Sequence, residues 1–227
     1  MAELVERDPA DASPPADNRA AILAAARAAI AADGVRGMRL EAIAGRAGVS
    51  VPLLYYHFES RPGLIRAVMA DLGEAAPSER LRGRDPAEPA YDAIRNALRA
   101  ELDELPATRE NALVWGEIAA SAVFDPKLRD GLRRADDAWS ELIATAIGDG
   151  TRDGSVLASA DPALAADVLA SLVDGLCTRW LSGSLELGAA RAALDRGLEA
   201  LLRPRYGDDG DRRSVPDASS VASRLRR

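Results

Sequence analysis

Few side chains in this sequence could do covalent or acid–base chemistry. It holds one histidine, His57, and one cysteine, Cys177, far apart in the chain. No second histidine or neighbouring thiol completes a metal set or a nucleophile–base pair, and no glycine-rich phosphate loop is present. No catalytic residue, metal or cofactor is therefore expected. A single cysteine also excludes an intramolecular disulfide, and Cys177 reads as a small buried apolar residue. What remains is recognition chemistry. His57 stands in Leu54-Tyr55-Tyr56-His57-Phe58, followed at once by Glu59-Ser60-Arg61, with Arg39 and Arg46 upstream. Hydroxyl, imidazole and guanidinium groups at this density suit contacts with DNA phosphates and base edges.

Two short helices must position those groups. Leu40, Ile43, Ala44 and Ala47 share one helical face. Gly48 breaks that helix, and the Ser50 hydroxyl can cap the next one. Pro52 is tolerated in a first turn, whose amides have no helical partner to lose. A second helix from Val51 to His57 completes a helix-turn-helix, whose second helix lies in the DNA major groove. Val51, Pro52 and Leu53 make its exposed end unusually apolar, suited to thymine methyl groups. By spacing, Leu54, Tyr55 and Phe58 are the core candidates, and Tyr56 and His57 the DNA candidates.

At these residues a family resemblance enters. The stretch Arg19 to Val68 resembles the DNA-binding domain of the TetR family of bacterial transcriptional regulators. The matching pieces are Ile22-Leu23-Ala24-Ala25-Ala26, Asp33-Gly34-Val35, Ile43-Ala44, Ala47-Gly48-Val49-Ser50, Leu54-Tyr55-Tyr56-His57-Phe58 and Ser60-Arg61 with Leu64. The resemblance implies that Arg61 contacts a phosphate, where the family commonly has a lysine. It also implies a Thr cap where Arg39 stands, so the second helix lacks its usual N-cap while Arg39 offers a cation to a phosphate. The DNA-binding set is thus Arg39, Ser50, Val51, Pro52, Leu53, Tyr56, His57 and Arg61.

Charge is distributed to suit. The chain carries a net −7. Residues 17–70 hold seven Arg against four acids, a net +3, whereas residues 71–203 hold 15 basic and 24 acidic residues, a net −9. A basic head on an acidic body binds DNA through the head alone. No apolar run reaches the ~18 residues of a membrane span, and the acidic, Pro-rich N-terminus is unlike a signal peptide. A cytoplasmic location is expected.

The remaining sequence reads as all-α: a three-helix head, a linking helix and a helical body. The expected divisions are a disordered tail at 1–16, a head at 17–64, a body at 65–203 and a disordered tail at 204–227. The opening helix runs from about Asp17 to Asp33 and ends at Gly34; a linking helix then runs to about Gly73. Glu74 to Arg84 reads as polar and irregular. Asp85-Pro86, Asp125-Pro126 and Asp161-Pro162 each pair a capping acid with a proline suited to a first turn. Asp85 with Glu88 adds a capping box. Five body helices follow: one from Asp85 ended by Pro106, then Thr108–Val123, one from Asp125 ended by Gly148 to Gly154, then Pro162–Leu181 and Gly188–Arg203.

The last two helices have wide apolar faces. In the TetR family the corresponding pair forms a four-helix dimer interface, which assigns Val168, Leu172, Leu176, Leu194, Leu198 and Leu201 to a homodimer contact. Two heads roughly 34 Å apart would read successive major grooves of a palindromic operator. Family members bind a small molecule among the central helices. Tyr91, Trp115, Phe124, Trp139 and Trp180 are the candidate lining residues, together with Glu117, an acid within an apolar helix. The segment Trp115 to Trp139, with Phe124-Asp125-Pro126-Lys127-Leu128-Arg129, is similar to the body of choline-responsive BetI-type repressors, so aromatics and acids could hold a quaternary amine. The implied function is a ligand-released repressor with operator DNA, an effector and itself as partners. The alternative is a helical carrier or protein-interaction module that has lost specific DNA binding.

Overall fold

The computed structural model describes residues 15–73 and 76–203. The tails expected before and after lie outside the described residues, except that Pro15 and Ala16 already belong to the first helix. Among the described residues the chain forms ten α-helices and no strand, and no helix is long and apolar enough to cross a membrane.

Four helices make the head and its link. α1 (Pro15–Gly37) buries Ile22, Leu23, Ala26 and Ile30. Gly34, at φ 70 and ψ 171, breaks the regular helix where the sequence expects it to end, and a separate short turn to Gly37 then carries Val35 inward. α2 (Leu40–Ala47) begins at Arg39 with no side-chain cap and ends on Gly48 at φ 69, ψ 25. α3 (Val51–Phe58) is capped by Ser50, whose hydroxyl oxygen accepts from the Leu53 amide at 3.3 Å. α4 (Arg61–Gly73) is opened by Ser60, which accepts from the Gly63 amide at 3.1 Å.

The body holds six helices, one more than the sequence suggests. Residues Ala76–Arg82, expected to be irregular, form α5, which buries Leu81 against α6. Asp85-Pro86 does not start a helix. The Asp85 carboxylate accepts instead from the Ala87 amide, closing a turn, and α6 (Ala90–Ala100) starts after Pro89. Pro106 does not end α6 either. The chain turns at Asp103, whose carboxylate accepts from the Leu105 amide, and Pro106 opens α7 (Pro106–Phe124). Leu105, in the turn between the two helices, is exposed. α8 (Pro126–Asp153) is capped by Asp125 and runs straight through Gly148; only Gly154, at φ 79, stops it. Gly150, in the last turn of α8, leaves room for Val156, whose side chain lies 2.4 Å from an ideal Cβ there. α9 (Pro162–Leu181) is capped by Asp161, and α10 (Leu187–Leu202) is the last helix among the described residues.

Two apolar cores result. One joins α6, α8, α9 and α10 around Ile94, Leu98, Ile147, Leu169 and Leu194. The other joins the head to Leu64, Ile65, Val68 and Met69 of α4, but also to Val114, Ile118 and Ala122 of α7 and Leu128 of α8. The head core thus reaches well past residue 64, and α7 serves both halves.

Candidate nucleic-acid interface and effector site

The recognition helix is anchored from beneath and bare on top. Leu54 and Phe58 are buried, with the Arg19 guanidinium 5.6 Å over the Phe58 ring. Tyr55 is not a core residue: it is 46% exposed, because the core contact of this two-turn helix is filled by residues four apart, Leu54 and Phe58. Tyr56 is 80% exposed, and its ring meets His57 edge-on at 5.4 Å between centroids. Pro52 is exposed, and Val51, Leu53 and His57 are partly so. Arg39 and Arg46 flank this surface, exposed and without an ion-pair partner among the described residues. Ser50 is exposed, its oxygen occupied by capping. Arg61 stands apart: its guanidinium donates to the Val35 carbonyl.

The expected effector residues do not form one group. Tyr91 is buried beneath the Arg203 guanidinium, 4.1 Å from its ring centroid. Trp180 is buried in the body core with Arg109 5.5 Å over its ring. Trp139 packs half-buried on the same core. Phe124 and Glu117 belong elsewhere. Phe124 is 74% exposed at the end of α7 under Arg36. Glu117 is exposed rather than buried, because its face of α7 points to the end of α1, where Oε2 accepts from the Val35 amide at 3.4 Å. These two share an open cleft of about 640 Å³ with Gly34 and Arg36. A second open cleft, about 740 Å³, is lined by Arg80, Arg84, Arg99 and Arg191 and holds none of the predicted aromatics.

Trp115 leads to a group that spacing along the chain does not reveal. Its indole N–H lies toward the carboxylate of Asp174 on α9 and favours the ionised form. Asp174 in turn faces Asp136 of α8 and Glu101 at the end of α6. Burial pushes Glu101 up to about 7, with the charge of Asp174 adding to it. Burial and the charge of Asp136 push Asp174 up to about 6 against the opposing Trp115 indole. Asp136 is raised by burial and by Asp137. Beside them the Cys177 thiol lies 3.6 Å from the Glu101 carbonyl oxygen and is pushed up to about 12, first by burial and then by both acids, which leaves it an unreactive thiol. None of the three acids forms an ion pair among the described residues, and no group of acids, His or Cys there is placed to hold a metal ion. Asp136 and Asp174 are nevertheless exposed and Glu101 is half-buried, so the group lies at the surface and solvent screens part of its repulsion. Four helices therefore bring together negative charge and an indole with no cation at ion-pair distance among the described residues. The available signal was Asp174 itself, a charge in the middle of the apolar run from Val168 to Leu176.

The dimer candidates divide as well. Leu176, Leu194 and Leu198 are buried within the single chain. Val168 is exposed, as is Leu164 one turn before it, while Leu172 and Leu201 are partly exposed.

Comparison with known proteins agrees with this geometry. Residues 22–68 match the family described as bacterial regulatory proteins, tetR family. Residues 89–203 match the BetI-type transcriptional repressor C-terminal family. The HTH-type transcriptional regulator BetI of Ectopseudomonas mendocina is 31% identical over 74% of this chain and 82% of its own. A crystal structure of a TetR-family transcriptional regulator from Rhodococcus sp. superposes with a TM-score of 0.78 at 37% identity, covering 82% of this chain and 99% of that one. A transcriptional regulator from Saccharomonospora viridis, solved in complex with choline, shares the fold at a TM-score of 0.72 and 24% identity, covering 84% of this chain and 100% of that one. An exposed recognition helix on a head fused to this body, with both halves matched, identifies the chain as a transcriptional regulator of the TetR family with a BetI-type C-terminal body.

Proposed function

We propose that this regulator is a dimeric repressor that binds a palindromic operator through two heads and leaves it when the body takes up a small organic cation. The observation that carries the effector class is the set of three carboxylates, Glu101, Asp136 and Asp174, brought together beside Trp115 without an ion-pair partner among the described residues. Like charges gathered at one place repel one another, and a cation that joins them relieves the repulsion. A quaternary ammonium supplies that charge and can rest on an indole face. Choline, bound by the S. viridis relative, is the first compound to try.

Val51, Pro52, Leu53, Tyr56 and His57 would meet the major groove, with Arg39 on a phosphate and Ser50 holding the helix end. The faces left open on α9 and α10, with Leu164, Val168, Leu172 and Leu201, would meet a second copy. The effector reading is tested by titrating choline and betaine aldehyde into the purified protein and following its Tm. A ligand at 100 times its Kd should stabilise by about 2.7 kcal/mol, and Asp174→Asn should remove the shift. A protein that binds DNA but shows no shift with either compound overturns the cationic effector.

A further inference from the structure

The contacts of Val35 point to a function for two side chains that the DNA surface and the acid group leave unused. Both backbone polar groups of Val35 are held by side chains from other helices. Glu117 of α7 accepts from its amide at 3.4 Å, and Arg61, the first residue of α4, donates to its carbonyl. Val35 follows directly on the kink at Gly34, so an α-helical bond cannot serve its amide. A second tie lies two turns back along α1. Arg27 bonds Asp71 near the end of α4 at 2.9 Å and Glu110 of α7 at 3.4 Å. Glu110 and Glu117 are seven residues apart, hence on one face of α7. α1 is therefore fastened to α7 and to α4 at both ends of α4. The Arg27 end is a pair of ion pairs; the Val35 end rests on one long hydrogen bond to the exposed Glu117 carboxylate and on the Arg61 bond to the Val35 carbonyl.

We propose that Glu117 and Arg61 act together as positioning residues for DNA binding: by holding Val35 from the body side and the linking-helix side, they set the pitch of the head on the body. Arg61 then serves the protein through Val35 and not through a phosphate. Trp115, which lies beside Asp174, is two residues before Glu117 on α7, so the acid group and the Val35 tie share one helix. The proposal rests on the DNA-binding reading but not on the identity of the effector.

The test uses the full chain and the duplex recovered from random sequences by selection, with affinity measured between about 50 and 200 mM salt. Glu117→Ala and Arg61→Ala should each weaken binding about tenfold. Both should keep the parent slope of log affinity against log salt, and the double variant should be no weaker than the weaker single. Glu117→Gln, whose amide oxygen still accepts from Val35, should bind like the parent. If Glu117→Ala does not fold, Glu117→Asp, one methylene too short to reach, replaces it. Unchanged affinity in Glu117→Ala overturns the proposal. So does a slope reduced by about one phosphate in Arg61→Ala, which would make Arg61 a direct DNA contact. A folded parent protein from which no duplex can be selected overturns the DNA-binding reading itself, and this proposal with it.

Discussion

A Cβ built on Gly34 would stand 2.7 Å from Oε2 of Glu117, so the exposed Glu117 side chain would have to swing aside and give up its bond to Val35. At φ +70 the backbone there also disfavours any L side chain. The backbone strain is the larger cost in Gly34→Ala. The substitution should cost about 1–3 kcal/mol, read as a lower urea midpoint. Gly45→Ala, in α2 with nothing within 4 Å of its Cβ, should gain a few tenths of a kcal/mol or more. Equal stability of the two variants would show that α1 can relax at its kink.

The missing cap of α2 offers a gain of stability at a loss of affinity. Arg39 already has the extended backbone of an N-cap, φ −114 and ψ 126, but no side-chain bond. Arg39→Thr should stabilise by about 1 kcal/mol. If Arg39 also meets a phosphate, the same variant binds DNA more weakly, with a salt slope smaller by about one contact. Thermal unfolding and anisotropy titrations read the two effects separately.

Stability should depend on pH in a stated direction. The folded values of Glu101 and Asp174, about 7 and about 6, lie above their ordinary 4.5 and 3.8. Fold stability from these groups is therefore fully present below about pH 4 and is lost as pH rises through about 6 to 7. Glu101→Gln should flatten this fall and leave the protein about 1–2 kcal/mol more stable than the parent at pH 8. Denaturant unfolding at pH 5 and pH 8 checks it. The cation reading adds an opposite trend. Choline should bind more tightly at pH 8, where the acids are ionised, than at pH 5.

The Trp115 indole is the group that holds Asp174 down, against burial and Asp136. Trp115→Phe removes the donor and keeps a ring. The Asp174 carboxyl should then titrate higher than in the parent. An NMR titration of its side-chain carbon measures this directly, and a lower value in the variant would show that the indole does not donate to it.

Val168 and Leu164 are exposed apolar side chains on one face of α9. A single chain gains nothing from them there, whereas a second copy would bury them. Val168→Glu should convert a dimer to a monomer in sedimentation without loss of helix, while Leu198→Glu, in the core, should unfold the protein.

What the sequence determined was local. The turn at Gly48, the caps at Ser50, Ser60, Asp125 and Asp161, and the bounds of α9 each depend on residues within one helical turn of one another. Such interactions are legible from spacing alone. The head was legible for the same reason, since its signals fall within some fifty consecutive residues. Tertiary structure decided the rest. Glycine at 148 and proline at 106 look alike as helix ends, yet packing carries α8 through the first, while the second begins α7. An apolar helix shows how much surface it must bury but not which neighbour buries it, so Leu194 and Leu198 went to the monomer core and Val168 to the surface. The same holds for charge. Nothing in the spacing of Glu101, Asp136 and Asp174 along the chain says that three helices will bring them together, or that Glu117 will turn away toward Val35. Only the crossing of helices distant in sequence sets those distances, and the energies of charged groups follow from distance and burial.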